Sequence, residues 1–147
     1  MKKGKSVGAI VSNLRGGETV YLVQYRLAIP VGLAFPAGHV DAGEKPDDAI
    51  RRELFEETGL TVERAVLSMH RTFANPCGKG HAEHEWWVYS VSASGILERK
   101  EPTKHKFVGW MNLEEIRDYL KNHASDPKNY PYDPAWFEHI LPEFDII

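Results

Sequence analysis

Cys77 is the only cysteine, so no intrachain disulfide framework exists, and a reducing compartment suits the chain. No apolar run approaches the roughly 20 residues needed to span a bilayer. The basic start, Met1-Lys2-Lys3, is not followed by the apolar stretch of a signal peptide. A cytoplasmic protein with no membrane partner is expected. Positive charge is also in short supply: the formal net charge is −3, which gives no basic footprint for nucleic acid. Internal repeats and interdomain linkers are absent. What is present is ordinary for a globular protein, 42% hydrophobic and 27% charged over 147 residues, which is enough for one domain spanning 1–147.

The pattern alternates strands with helices. Ser6–Asn13 and Thr19–Tyr25 read as two strands joined by the turn Arg15-Gly16-Gly17. Leu27–Leu33 carries Pro30 and Gly32 and reads as a loop, followed by a short strand at Ala34–Ala37. Thr61–Phe73, Glu85–Ala93 and Phe107–Met111 read as further strands. Asn75–Glu83 and Asp126–Pro134 are rich in turn residues. Leu113–Lys121 predicts an amphipathic helix, with Asn112 placed to cap it, and Ala135–Ile140 a short last one. This order predicts an α/β fold, a mixed sheet with helices on both faces.

The segment from Gly38 to Leu60 holds the chemistry. Pro46 suits a first helical turn, Asp47 and Asp48 complement the dipole there, and Gly59 suits a left-handed terminus. Within that helix Glu53, Glu56 and Glu57 fall inside roughly a 100° arc. Ile50 and Leu54 lie beside them and can bury against a sheet. Like charges at this spacing repel. One reading is a solvated acidic face neutralised by Arg51 and Arg52. The other is an oxygen site for Mg²⁺ or Mn²⁺ that leaves positions open for phosphate.

The loop before the helix bears on that choice. Gly38, Glu44, Arg52, Glu53, Leu54, Glu56, Glu57, Gly59 and Leu60 match G-x5-E-x7-R-E-U-x-E-E-x-G-U, where U is a bulky aliphatic residue, without a mismatch. In this motif the chain resembles the Nudix hydrolases. The resemblance implies an α/β/α sandwich and metal-dependent hydrolysis of a nucleoside diphosphate linked to another group. It implies that Glu53, Glu56 and Glu57 bind metal, with the backbone carbonyl near Gly38 as a further candidate. Arg52 would hold the motif together by pairing with Glu44, while Gly38 and Gly59 serve the backbone. Standing one position before Glu53, Arg52 is expected to point elsewhere on the helix.

The remaining roles are open at this stage. A general base from outside the motif is expected from Glu101, with Glu98 as the alternative and a solvated glutamate as the bland reading. Arg26, at the end of its strand, faces substrate phosphates or is a surface arginine. Trp86 and Trp87 point to opposite faces of one strand, so one fills the core and the other is free to stack on a nucleobase or to pack. The spacing of His81 and His84 is a weak zinc signal, and His70 reads as an ordinary strand residue. Glu101-Pro102-Thr103-Lys104 resembles nucleoside triphosphate pyrophosphatases. Gln24-Tyr25-Arg26, Phe35-Pro36-Ala37-Gly38 and Pro76 resemble ADP-ribose pyrophosphatases. A small-molecule nucleotide substrate, most simply a triphosphate, is expected for a monomer or homodimer. A non-catalytic binding module and a diphosphate isomerase using Cys77 are the readings from other classes.

Overall fold

The computed structural model describes residues 3–28, 30–74, 83–122 and 132–146. Pro76, Cys77 and His81 fall outside them. The elements run β1 (Lys3–Arg15), β2 (Glu18–Arg26), β3 (Gly32–Ala34), β4 (Ala37–His39), α1 (Pro46–Thr58), β5 (Thr61–Ala74), β6 (Glu83–Ser94), β7 (His105–Asn112) and α2 (Leu113–Asn122). Two short turns follow, π-helical at Ala135–Ile140 and 3₁₀ at Leu141–Phe144.

The strands join in the order β3-β2-β1-β6-β5, with β4 added to β1 and β7 to β2. β1 is the organising strand. Its first half runs parallel to β6 on one edge and antiparallel to β4 on the other. Its last four residues, Ser12–Arg15, turn to pair with β2. One parallel pairing among antiparallel ones makes the sheet mixed, as expected. Strand alternation then divides the core in two. Val7, Ala9 and Val11 of β1 face α1 and pack with Ala49, Ile50 and Leu54. Ile10 faces the other way, with Trp86, Phe35, Ile116 of α2 and Trp136. Helices on both faces of a mixed sheet complete the sandwich. Among the described residues no helix is long and apolar enough to cross a membrane.

The helix ends follow their sequence signals. Gly59 sits at φ 76° and its N–H donates to the Phe55 carbonyl, closing α1. Asn112 caps α2 reciprocally: its Oδ1 accepts from the Glu115 N–H at 2.7 Å, and its own N–H donates to Glu115 Oε1 at 3.0 Å. Two expectations need correction. The loop expected over Leu27–Leu33 already contains β3 from Gly32. The strand expected at Ala34–Ala37 is broken at Phe35-Pro36, because Pro36 has no N–H to donate to a ladder and Phe35 turns into the core.

Gly8 shows how tightly the second core is closed. A Cβ there would stand 2.6 Å from Trp136 Cζ2, and Trp136 is fully buried. Trp136 in turn stacks on Phe35 at 5.2 Å and meets Trp86 edge-on at 5.8 Å. With no free space for the indole, Gly8→Ala is expected to destabilise by about 1–3 kcal/mol. Urea unfolding checks this as a lower midpoint at an unchanged m-value, and an unaltered midpoint contradicts it.

Candidate active site

The three carboxylates of α1 occupy three different environments. Glu56 is exposed. Glu53 is mostly covered, with 16% of its side chain accessible. Glu57 is buried among the apolar residues of α1 at 5% exposure. The sequence places all three along the edge of the buried stripe, but Glu57 lies inside it. Burial pushes the Glu57 carboxyl well above the usual carboxylate range, and the charges of Glu53 and Glu101 push the same way. Burial also raises Glu53, against the opposing pull of Arg52.

Arg52 compensates part of this charge. Its Nε and Nη2 hold Glu44 through two bonds of 2.8 and 2.9 Å, Nη2 also donates to the His39 carbonyl, and Asp41 lies within 3.4 Å. Helix i/i+1 geometry does not carry Arg52 away from its neighbours, contrary to expectation. The guanidinium folds back, and Nη1 donates to Glu53 Oε1 at 2.9 Å and to Glu56 Oε2 at 3.2 Å. Arg52 is raised by this company, while Glu44 is lowered to about 2, first through its bonds to Arg52 and then by the Asp41 N–H. The Glu44 loop is thus fastened to α1.

Gly38 makes the close approach of Glu53 possible. A Cβ on Gly38 would fall 2.1 Å from Glu53 Cδ, so no other residue fits there without moving the carboxylate. At the far end of α1, the segment after β6 is tied to the helix terminus. The Glu98 N–H donates to the Thr58 carbonyl at 2.9 Å, and the Lys100 N–H to the Glu57 carbonyl at 3.4 Å. Lys100 lies over the Phe55 ring, 4.2 Å from its centre. These links bring Glu101 to the buried carboxylates, where its charge acts on both Glu53 and Glu57. Glu101 also holds Lys104 at 3.0 Å. Glu98 is exposed beside Gly59.

β2 supplies the opposite wall. Gln24 is fully buried beside Glu57 and slightly favours its ionised form, yet neither Gln24 amide atom nor Glu57 Oε2 completes a hydrogen bond. The β2–β7 register slips at Tyr25/Arg26, and such a bulge re-aims the side chain that follows it. Arg26 donates from Nε to the Pro30 carbonyl at 2.9 Å, and its charge is felt by Glu57, by His105 and by Asp133. Burial first and Arg26 second hold His105 at about 4, so it stays neutral near pH 7. Asp133 is 3% exposed, and burial lifts it to about 6.

The two tryptophans pack into different halves of the core. Trp86 is in the core with Phe73 and Trp136, and part of it lines a cavity next to Arg26. Trp87 is half-buried and stacks on His70 at 4.7 Å, while His70 Nε2 bonds Glu85 at 2.6 Å, the ordinary partner expected of it. Sequence reasoning missed Gln24, His105 and Asp133. Gln24 carried a signal, since period 2 puts it on the buried face of Val20 and Leu22. Asp133 sat in a segment legible only as proline-rich.

A divalent cation can be tested against these residues. Their donors are all oxygens, as a hard cation requires, and one of them, Glu57 Oε2, is buried with no partner. Among the described residues no three His, Cys, Asp or Glu side chains converge on one point. Arg52 engages two of the three α1 carboxylates, Glu53 and Glu56, as a counter-ion. The oxygen chemistry of the donor set suits such a cation, and Glu53, Glu56 and Glu57 are the residues that would hold it.

A NUDIX domain model matches residues 2–133. The chain belongs to this family. Nudix relatives differ widely in what they are named for. The 8-oxo-dGTP diphosphatase of Haemophilus influenzae is 48% identical over 44 residues, 30% of this chain and 32% of that protein. The ADP-ribose pyrophosphatase of Bacillus subtilis is 28% identical over 115 residues, 77% of this chain and 60% of that protein. Less than two thirds of either relative is spanned. Among solved structures, a MutT Nudix hydrolase from Burkholderia pseudomallei superposes with a TM-score of 0.66 at 28% identity, covering 78% of this chain and 87% of its own.

The Arg52–Glu44 clamp carries a pH dependence. Glu44 titrates below its ordinary value in the folded protein, so its contribution is present above about pH 4.5 and is lost as pH falls toward about 2. Glu44→Gln is expected to lose about 2 kcal/mol at pH 7, and the gap to wild type should narrow as both are taken to acid. Thermal melts across pH 7 to 3 check this; a gap that stays constant or widens in acid contradicts it.

Proposed function

We propose that the chain is a pyrophosphohydrolase that uses Mg²⁺ or Mn²⁺ to cleave a phosphoanhydride bond in a nucleoside diphosphate joined to another group, with nucleoside triphosphates as the preferred class. The observation that carries this reading is the buried, unpartnered oxygen of Glu57 beside Glu53 and Glu56. A fold does not keep such a group for stability alone. When bound, the ion supplies positive charge against the substrate's phosphates and makes a water more acidic.

The chain's own residues divide the remaining work. Glu53, Glu56 and Glu57 hold the cation, and Arg52 and Glu44 set their directions. Arg26 lies at the end of β2, its charge acts on Glu57, and it suits a phosphate contact. Glu101 takes the proton from the attacking water as general base, since the Lys100–Glu57 backbone link brings it to the carboxylates while Glu98 stays outside. The E-P-x-K segment and the resemblance to an 8-oxo-dGTP diphosphatase favour triphosphates. ADP-ribose is the second reading, favoured by the longer match to an ADP-ribose pyrophosphatase.

The direct test is a substrate panel in Mg²⁺: nucleoside triphosphates, ADP-ribose, dinucleoside polyphosphates, nucleotide sugars and capped RNA. Pyrophosphate release from a triphosphate at the highest kcat/KM supports the first reading, and AMP with ribose 5-phosphate the second. No turnover of any of them contradicts both and leaves a binding module or an isomerase.

Two variants test the assignments. Glu57→Gln is expected to lower activity by more than about 100-fold, beyond the usual loss for a residue supporting a ligand. It should also leave the metal-free melting temperature unchanged or higher, because it removes a buried charge. Near-wild-type turnover at saturating Mg²⁺ removes Glu57 from the ligand set. Glu101→Gln should lower kcat by about 10²-fold or more, with little change in the metal concentration giving half-maximal rate. Glu98→Gln should change kcat only a few-fold. The reverse pattern transfers the role to Glu98.

A further inference from the structure

Gln24 is a polar residue where the fold asks for an apolar one. It stands near the end of β2, paired with Ala34 of β3 on one side and Val108 of β7 on the other. Both cross-strand neighbours are apolar, and Leu22, two positions back on the same face, belongs to the core under α1. The Gln24 side chain is fully buried, yet neither its Nε2 nor its Oε1 has a hydrogen-bond partner. Replacing unbonded buried polar atoms by apolar ones of the same shape is neutral or stabilising. A methionine would therefore serve the fold as well or better. A buried amide kept in this state calls for an explanation.

The explanation lies on α1. Glu57 is buried there, and its Oε2 is likewise without a partner. Burial raises the Glu57 carboxyl, and Gln24 stands close enough to act weakly against that, although the two do not reach hydrogen-bond geometry. An orphaned donor on β2 thus lies beside an orphaned acceptor on α1. The other groups that act on Glu57 do so by charge: Glu53 and Glu101 repel its anion, and Arg26 attracts it. Charge alone does not set the direction of a carboxylate, because the last torsion of a glutamate is broad. Direction matters to Mg²⁺, which demands near-octahedral placement of its oxygens.

We propose that Gln24 is a positioning residue for the cation site: its Nε2 donates to one oxygen of Glu57 and so aims the other at the metal. A neutral amide suits this task. It fixes the carboxylate without neutralising it, whereas Arg52 holds Glu53 and Glu56 with a positive charge of its own. This assignment rests on the cation reading above and adds a residue from outside the motif that tunes metal affinity.

The test follows melting temperature against Mg²⁺ concentration, from metal-free protein upward, in wild type, Gln24→Met and Gln24→Leu. Both substitutions keep an apolar side chain in the space and remove the amide. Metal-free melting temperatures are expected to be unchanged or higher in the variants. The Mg²⁺ concentration giving half the full shift should rise ~10-fold or more, and calorimetric titration with Mn²⁺ should show the same weakening. In hydrolysis, the metal concentration for half-maximal rate should rise likewise, with KM for the nucleotide little changed and much of the lost rate recovered at high Mg²⁺. Wild-type metal midpoints in both variants overturn the proposal and leave the cation reading standing. A lower metal-free melting temperature in both shows that Gln24 serves the fold and overturns it as well. A raised KM with an unchanged metal midpoint places Gln24 on the substrate instead, which also overturns it. No response of the wild type to Mg²⁺ or Mn²⁺ contradicts the cation reading, and this proposal falls with it.

Discussion

Two glutamates withdrawn from water on one helix, Glu57 fully and Glu53 largely, set the terms for the rest of the molecule. Glu53 and Glu57 repel each other, and desolvation weakens both as anions. Several neighbouring features serve to make that burial tolerable. Gly38 has no side chain because Glu53 lies against it. Arg52 spends its guanidinium on Glu44, Glu53 and Glu56 together. Gly59 ends α1 in a left-handed turn, and the following connector bonds back to the Thr58 and Glu57 carbonyls. The compensation stops short at Glu57 Oε2. A protein selected only for stability would place an apolar residue there. That incomplete compensation is the feature on which the proposed cation site rests.

Arg26 acts on two buried carboxyl groups at once. The bulge at the end of β2 places it where its charge reaches Glu57 on one side and Asp133 on the other. His105 stays neutral near pH 7 and adds no competing charge.

Much of this was legible in the sequence, for physical reasons that differ by residue. Pro46 and Gly59 fixed the limits of α1 because each is confined to, or freed for, one backbone conformation. The spacing of Glu53, Glu56 and Glu57 disclosed a shared face, but periodicity alone could not say that Glu57 lies inside the buried stripe. That depends on how far α1 tilts against β1. The partnership of Arg52 with Glu44 followed from the motif. Its reach back to Glu53 and Glu56 did not, because a long flexible side chain is not confined to its own helical direction. The strand break at Phe35-Pro36 was missed because Phe35 reads as strand-forming until Trp136 appears beside it. Trp136 comes from a segment about 100 residues further on, as does Asp133, and no local pattern brings such positions together.

The central claim is that α1 is held ready for a divalent cation. Its most direct test is the change in melting temperature on adding Mg²⁺, compared between the wild type and a Glu56→Gln, Glu57→Gln double variant. A ligand that binds only the folded state stabilises it by mass action, by about 2.7 kcal/mol at one hundred times its dissociation constant. The account predicts a clear upward shift in the wild type that rises with Mg²⁺ concentration and is largely lost in the double variant. Equal shifts in the two proteins, or none in the wild type at millimolar Mg²⁺, would contradict it.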